Sequence, residues 1–222
     1  MARALDLSQI TVRHATWDDF PDILRFQEAS LRRLATGQYE PALIERYIAA
    51  AGTMPVDLLT NGRMLLLEAQ GRIIATGGWA WRTSNGEHIG LADDNAAELT
   101  AADEDDGTPL PKPKVTDGTI AEIAGLYVDP SLARFGLAGW LLSLLEDDIR
   151  RTGLAAVRIA ATLTGLPLCQ KNGYRPYRVI ALDLGRGAVF HTIGLAKTLA
   201  DVRADTPKRG RTSQPRQAHV LM

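Results

Sequence analysis

The stretch Leu126-Tyr127-Val128-Asp129-Pro130-Ser131-Leu132-Ala133-Arg134-Phe135-Gly136-Leu137-Ala138-Gly139-Trp140-Leu141-Leu142 decides how the chain is read. It joins an apolar run, residues 119–128 (TIAEIAGLYV), to residues 136–151, where Leu137, Trp140, Leu141, Leu144 and Leu145 recur with helical spacing. A strand that feeds a helix through a glycine-bearing turn leaves the first N–H groups of that helix without intrahelical acceptors. Small residues at Gly136, Ala138 and Gly139 let an anion approach those groups and the positive end of the helix dipole, and Arg134 can add charge. The same small residues would serve close packing of helix on sheet, so the stretch alone leaves both readings open. Two other phosphate loops are excluded: G-x-x-x-x-G-K-[ST] is absent, and Phe135-Gly136-Leu137-Ala138-Gly139-Trp140 does not fit G-x-G-x-x-G.

On the N-terminal side, residues 10–13 read as a short strand. Thr16 then caps a helix reaching about residue 35, with Asp18 and Asp19 in its first turn. A second helix starts near Pro41, with Leu43, Ile44, Tyr47 and Ile48 on one face. Residues 64–69 and 73–81 are apolar runs separated by Gln70-Gly71, a hairpin signal. On the C-terminal side, residues 155–161 read as a strand and 165–172 as a short helix stopped by Gly173. Residues 179–184 and 189–195 read as two closing strands. The pattern predicts a mixed α/β sheet.

Between the hairpin and the deciding stretch lies a different composition. Residues 83–118 carry nine acidic residues against Lys112 and Lys114, with Pro109, Pro111 and Pro113, and predict a long, flexible acidic insertion. The end of the chain, residues 203–222, holds Lys208, Arg209, Arg211 and Arg216 with almost no apolar pattern and predicts a disordered basic tail. One domain over residues 1–202 accounts for the rest. The whole chain of 222 residues has a formal net charge of −1, which argues against a protein that serves to coat nucleic acid or an anionic membrane. Cys169 is the single cysteine, so there is no intramolecular disulfide, and its usage fits a reducing, cytoplasmic setting. No run is long and apolar enough for a membrane helix, and the first residues lack the apolar block of a secretory signal. His14, His88, His191 and His219 have no metal-ligand spacing, and no G-x-S-x-G appears, so neither a metal nor a triad is assigned.

Val128, Pro130, Gly136 and Ala138 resemble motif A of the GNAT superfamily of acetyl-CoA-dependent N-acyltransferases, V-x-P-x-x-[QR]-x-x-G-x-[GA]. The departure is Ala133 at the Gln/Arg position, with the charge one residue later on Arg134. Residues 161–174 (ATLTGLPLCQKNGY) resemble motif B through Gly173-Tyr174. The resemblance implies a mixed, largely antiparallel sheet of six to seven strands flanked by helices, with splayed central strands, and a helical pair bordering the acceptor site. It implies acetyl-CoA as co-substrate, with Leu126, Tyr127 and Val128 along the pantetheine and Arg134, Phe135, Gly136, Leu137, Ala138 and Gly139 at the pyrophosphate. The implied partners are acetyl-CoA and an amine acceptor, not nucleic acid or membrane, and a homodimer is left open.

Acetyl transfer to an amine needs a neutral nucleophile, an oxyanion donor and a proton for the departing thiolate. Glu122 lies on the strand that would carry the thioester, where the resemblance implies a general base. The other reading is a structural carboxylate, paired with a neighbouring Arg or facing solvent at the strand edge. A strand bulge would free the N–H of Leu126 or of its neighbours for the oxyanion. Cys169 stands where many family members have a proton-donating tyrosine, yet a lone cysteine beside Leu166 and Leu168 also reads as a small buried hydrophobe. Trp79 and Trp81 share one strand face and fill core or line an acceptor pocket; Tyr39 and Tyr47 are similar candidates for core or pocket. The expected function is acetyl transfer to a primary amine by direct attack. The alternative is a regulatory CoA-binding protein without turnover, which the departures at Ala133 and Cys169 would suit.

Overall fold

The computed structural model describes residues 9–83, 101–102 and 119–199. Most of the expected acidic insertion and all of the expected basic tail therefore lie outside the described residues. In chain order the elements are β1 (Ile10–His14), α1 (Phe20–Ala35), α2 (Pro41–Ala51), α3 (Asp57–Thr60), β2 (Met64–Ala69) and β3 (Arg72–Thr83). They continue with β4 (Ala101–Ala102), β5 (Thr119–Val128), α4 (Leu137–Arg151), β6 (Ala156–Ala161), α5 (Leu166–Lys171), β7 (Arg175–Asp183) and β8 (Val189–Thr198).

One sheet runs β1-β2-β3-β5-β6-β8-β7-β4. Every neighbouring pair is antiparallel except β5 and β6. That parallel pair needs a crossover, and α4 supplies it. The sheet is mixed and largely antiparallel, as expected, and the two-residue β4 adds a short edge from within the acidic segment, paired to Ala181 and Leu182.

Alternation along the strands sends side chains to two faces. On one, Trp79, Ala121, Ile123, Val157, Ile159 and Leu195 pack against Leu137, Leu141, Leu142 and Leu145 of α4 and against Cys169 of α5. On the other, Ile23 of α1, Leu58 of α3, and Met64, Leu66 and Ala80 of the hairpin form a second cluster. A third joins α1 and α2 to β8 around Phe190, whose ring lies between Tyr39 and Tyr47 at 4.3 Å and 4.2 Å.

The N-terminal entry differs from the expected cap. Thr16 does form a capping box with Asp19, but a 3-10 turn, Trp17–Asp19, intervenes before α1. Asp19 also serves as a tether. Both its oxygens accept from the Arg13 guanidinium at 2.7 Å, and Arg13 reaches on to Glu68, fastening β1, β2 and the start of α1 together. The strand β7 begins at Arg175, earlier than residue 179. A bulge at Tyr177 lets Pro176 enter the sheet without a ladder donor.

Candidate active site

The sheet opens in its middle. β5 pairs with β6 over Ala121↔Val157, Glu122↔Arg158 and Ile123↔Ile159, and there the ladder stops although both strands continue. Two features turn β5 away. Gly125 has φ +65°, a conformation that favours glycine, and Gly125 and Leu126 together face the single Gly77 of β3, which is a bulge. The freed carbonyls do not go unsatisfied: Gly125 O accepts from Thr76 Oγ1 at 2.9 Å and Gln27 Nε2 at 3.3 Å, and Val128 O accepts from Ser30 Oγ at 2.7 Å. Gln27 and Ser30 are buried polar residues of α1, a helix face that apolar periodicity alone would have filled with hydrocarbon. Their role was not visible in the sequence.

Below the opening, the chain turns through Asp129, whose carboxylate accepts from Ser131 N and Oγ, into the start of α4. Arg134 has φ +70° and Gly136 φ +87°, so the turn is tight on both sides of the exposed Phe135. Gly136 caps α4 without any side-chain hydrogen bond. Among the described residues, the N–H groups of Leu137, Ala138 and Gly139 have no backbone acceptor, while Trp140 N bonds to Gly136 O. A Cβ added at Gly136 would meet nothing within 4 Å. Leu137, Leu126 and Val128 meanwhile contribute their side chains to the main core, so at these positions a ligand would meet backbone rather than side chain. Together the open gap and the helix start offer hydrogen-bonding edges to an extended polar chain and a positive terminus to an anion.

Glu122 stands at the throat, one pair before the strands part. Oε2 accepts from Arg158 Nε at 2.7 Å and Oε1 from Arg82 Nε at 3.2 Å, while Arg82 Nη1 donates to Asp57 Oδ2 at 2.9 Å. Both carboxylate oxygens are thus engaged by guanidinium donors. This geometry matches the second of the two readings of Glu122, the carboxylate paired with neighbouring arginines.

Cys169 is 1% exposed and packs in the main core, and burial pushes its thiol up to about 11. A buried thiol of that kind keeps its proton, which favours packing over proton donation. Gly173, at φ +86°, ends α5 and leads Tyr174 into the same core. Trp79 is fully buried and donates to Asp148 Oδ2 at 2.8 Å, with Arg63 stacked on both Trp79 and Trp81 on the α4 face. Core is therefore the place of Trp79. On the opposite face, Tyr127 of β5 packs into the aromatic cluster of Tyr39, Tyr47 and Phe190, and burial holds its phenol well above the usual range.

The sequence model of the Acetyltransferase (GNAT) family matches residues 28–174. No curated protein is similar enough in sequence to match. Among solved structures, a GCN5-related N-acetyltransferase from Rhodopseudomonas palustris is similar over 89% of this chain and 100% of its own, at 15% identity and a TM-score of 0.58. The PaiA N-acetyltransferase from Thermoplasma acidophilum, in complex with coenzyme A, is similar over 85% of this chain and 98% of its own, at 15% identity and a TM-score of 0.54. A mutant agmatine N-acetyltransferase in its apo form is similar over 86% of this chain and 100% of its own, at 15% identity and a TM-score of 0.53. At such identity these likenesses speak for the fold.

Proposed function

The chain belongs to the acetyltransferase (GNAT) family, and from that premise we propose that it transfers the acetyl group of acetyl-CoA to a primary amine by direct attack. The observation that carries this reading is the gap between β5 and β6, with the bulge at Gly125 and Leu126 on its wall and, at its foot, the start of α4, which no side chain caps. The backbone of Leu126, Tyr127 and Val128 lines the gap for the pantetheine arm. The first turn of α4, at Gly136, Leu137, Ala138 and Gly139, receives the pyrophosphate, with Arg134 and Phe135 on the turn beside it. The backbone N–H of Leu126 stabilises the oxyanion, a role that needs no side chain.

In this reading Glu122 and Cys169 support the site rather than exchange protons in it. Glu122 holds Arg158 and Arg82 at the throat, and Cys169 packs. The amine loses its proton to solvent, and the thiolate regains one from solvent. The acceptor enters on the face of α1 and α2, where Tyr127 and Tyr47 lie. The acidic composition of residues 83–118, whose two ends join β3 and β5, favours a cationic amine. A reducing, cytoplasmic setting suits the single unpaired cysteine.

One observation favours the second reading, a CoA-binding protein without turnover: neither Glu122 nor Cys169 is placed as a free acid or base. Incubation with acetyl-CoA and a panel of amines, read as thiol released, separates the two. Amine-dependent release supports transfer, and tight CoA binding with no release at any amine supports the alternative.

A further inference from the structure

Where β5 and β6 part, no ladder hydrogen bond fixes the distance between them, so the width of the gap depends on what grips each wall. Both grips belong to one body, the α1–α2 hairpin. Its two helices are joined by a turn of a few residues in which Gln38 N and Tyr39 N both bond to Ala35 O, and Arg32 forks onto Glu45 at 2.7 Å and 3.0 Å. On the β5 wall, Gln27 and Ser30 of α1 hold the carbonyls of Gly125 and Val128. On the β6 wall, which β8 also holds through its ladder over residues 156–161, the hairpin's grip centres on a single oxygen. Tyr39 Oη accepts from Leu163 N, in the loop leaving β6, at 2.8 Å and donates to His191 O on β8 at 2.7 Å. A weaker contact, Thr164 Oγ1 to Leu34 O at 3.4 Å, ties the same loop to the end of α1. The Tyr39 ring has little freedom to drift, because it stacks on Phe190 with 8° between planes.

We infer that the α1–α2 hairpin is the gauge of the β5–β6 gap, and that Tyr39 is a positioning residue whose hydroxyl sets the β6 wall at the distance the substrate requires. This rests on reading the gap as the acetyl-CoA cleft. The Tyr39 hydroxyl bonds to neither the α4 start nor the bulged strand. Its influence passes through Leu163 and His191.

The test is Tyr39→Phe, which keeps the stacked ring and removes both hydrogen bonds. Calorimetric affinity for CoA, measured well below the melting transition, is the primary readout, because a purely structural contact would lower the melting temperature and leave the affinity of the folded molecules unchanged. The expected result is CoA binding weakened about tenfold, the scale of the hydrogen bonding lost, with near-unit stoichiometry retained. Ser30→Ala, on the opposite grip, should weaken it in the same direction. If wild type binds CoA and Tyr39→Phe binds equally well, the gauge role is wrong while the cleft reading stands. If wild type itself does not bind CoA, the cleft reading falls and takes this inference with it.

Discussion

Arg158 Nε on β6 donates to Glu122 Oε2 on β5 at 2.7 Å, across the last pair but one before these strands separate. With Arg82 on the other oxygen and Asp57 beyond it, four alternating charges tie β3, β5, β6 and α3 at the throat of the gap. The side chains of Arg82 and Arg158 are 4% and 10% exposed, so their charges depend on these partners rather than on water.

Glu122→Gln is therefore expected to destabilise the protein, on the order of 3 kcal/mol, because two buried guanidiniums lose their common counter-charge. The pH profile of kcat/KM should keep its shape. Denaturant unfolding together with the profile checks both. An unchanged melting temperature with loss of the acidic limb and a drop of about 10²-fold would return Glu122 to the role of general base.

For Cys169→Ala the expectation is a loss of about 1 kcal/mol with kcat almost unchanged, the cost of a small cavity in a core. The thiol also predicts an alkaline signature. Its folded value is raised from an ordinary 9.0 to about 11, so the folded state holds a proton that the unfolded chain releases. Stability from this source is present below about pH 9 and lost as pH rises toward 11, and Cys169→Ala should show a shallower alkaline decline. A tenfold fall in kcat at unchanged melting temperature would restore the acid role.

Gly136→Asp should abolish CoA binding, since it puts a carboxylate at the start of α4 where a phosphate would sit. The positive φ costs any side chain about 1 kcal/mol, so Gly136→Ala is the control with the same backbone strain and no charge. Calorimetry should find Gly136→Asp far weaker than Gly136→Ala. Equal affinities would show that charge at this position does not matter.

Asp19 gives an acid-side prediction. Hydrogen bonding from Arg13 holds its carboxyl well below the usual carboxylate range. A depressed folded value contributes stability above the unfolded value, near pH 4, that is lost as pH falls below it. The gap in melting temperature between wild type and Asp19→Asn should thus be widest near pH 6 and narrow toward pH 2. A constant gap would mean that capping and packing, not the charge, are what Asp19 contributes.

Much of this was legible in the sequence because it rests on local pattern. The run at residues 119–128, the turn at Gly136 and the helical period after it are each set by neighbouring residues, and β5 and α4 lie where they were expected. The resemblance through Val128, Pro130, Gly136 and Ala138 added the splay. What escaped depends on distant partners. The two partners of the Glu122 carboxylate, Arg82 and Arg158, lie 40 and 36 residues away. Gln27 and Ser30 look like solvent-facing helix residues until β5 brings its carbonyls to them, 98 residues along the chain. The bulge at Tyr177 hid the start of β7, because Pro176 reads as a loop residue without it.

The gap between β5 and β6 is proposed as a working acetyl-transfer site. Its most direct test is thiol release from acetyl-CoA by the purified full chain, followed continuously while primary amines of differing charge are added one at a time. The expected result is release that requires both protein and amine, matched mole for mole by N-acetylated product, and abolished by Gly136→Asp. Saturable CoA binding with no amine-dependent release across the whole panel would contradict it.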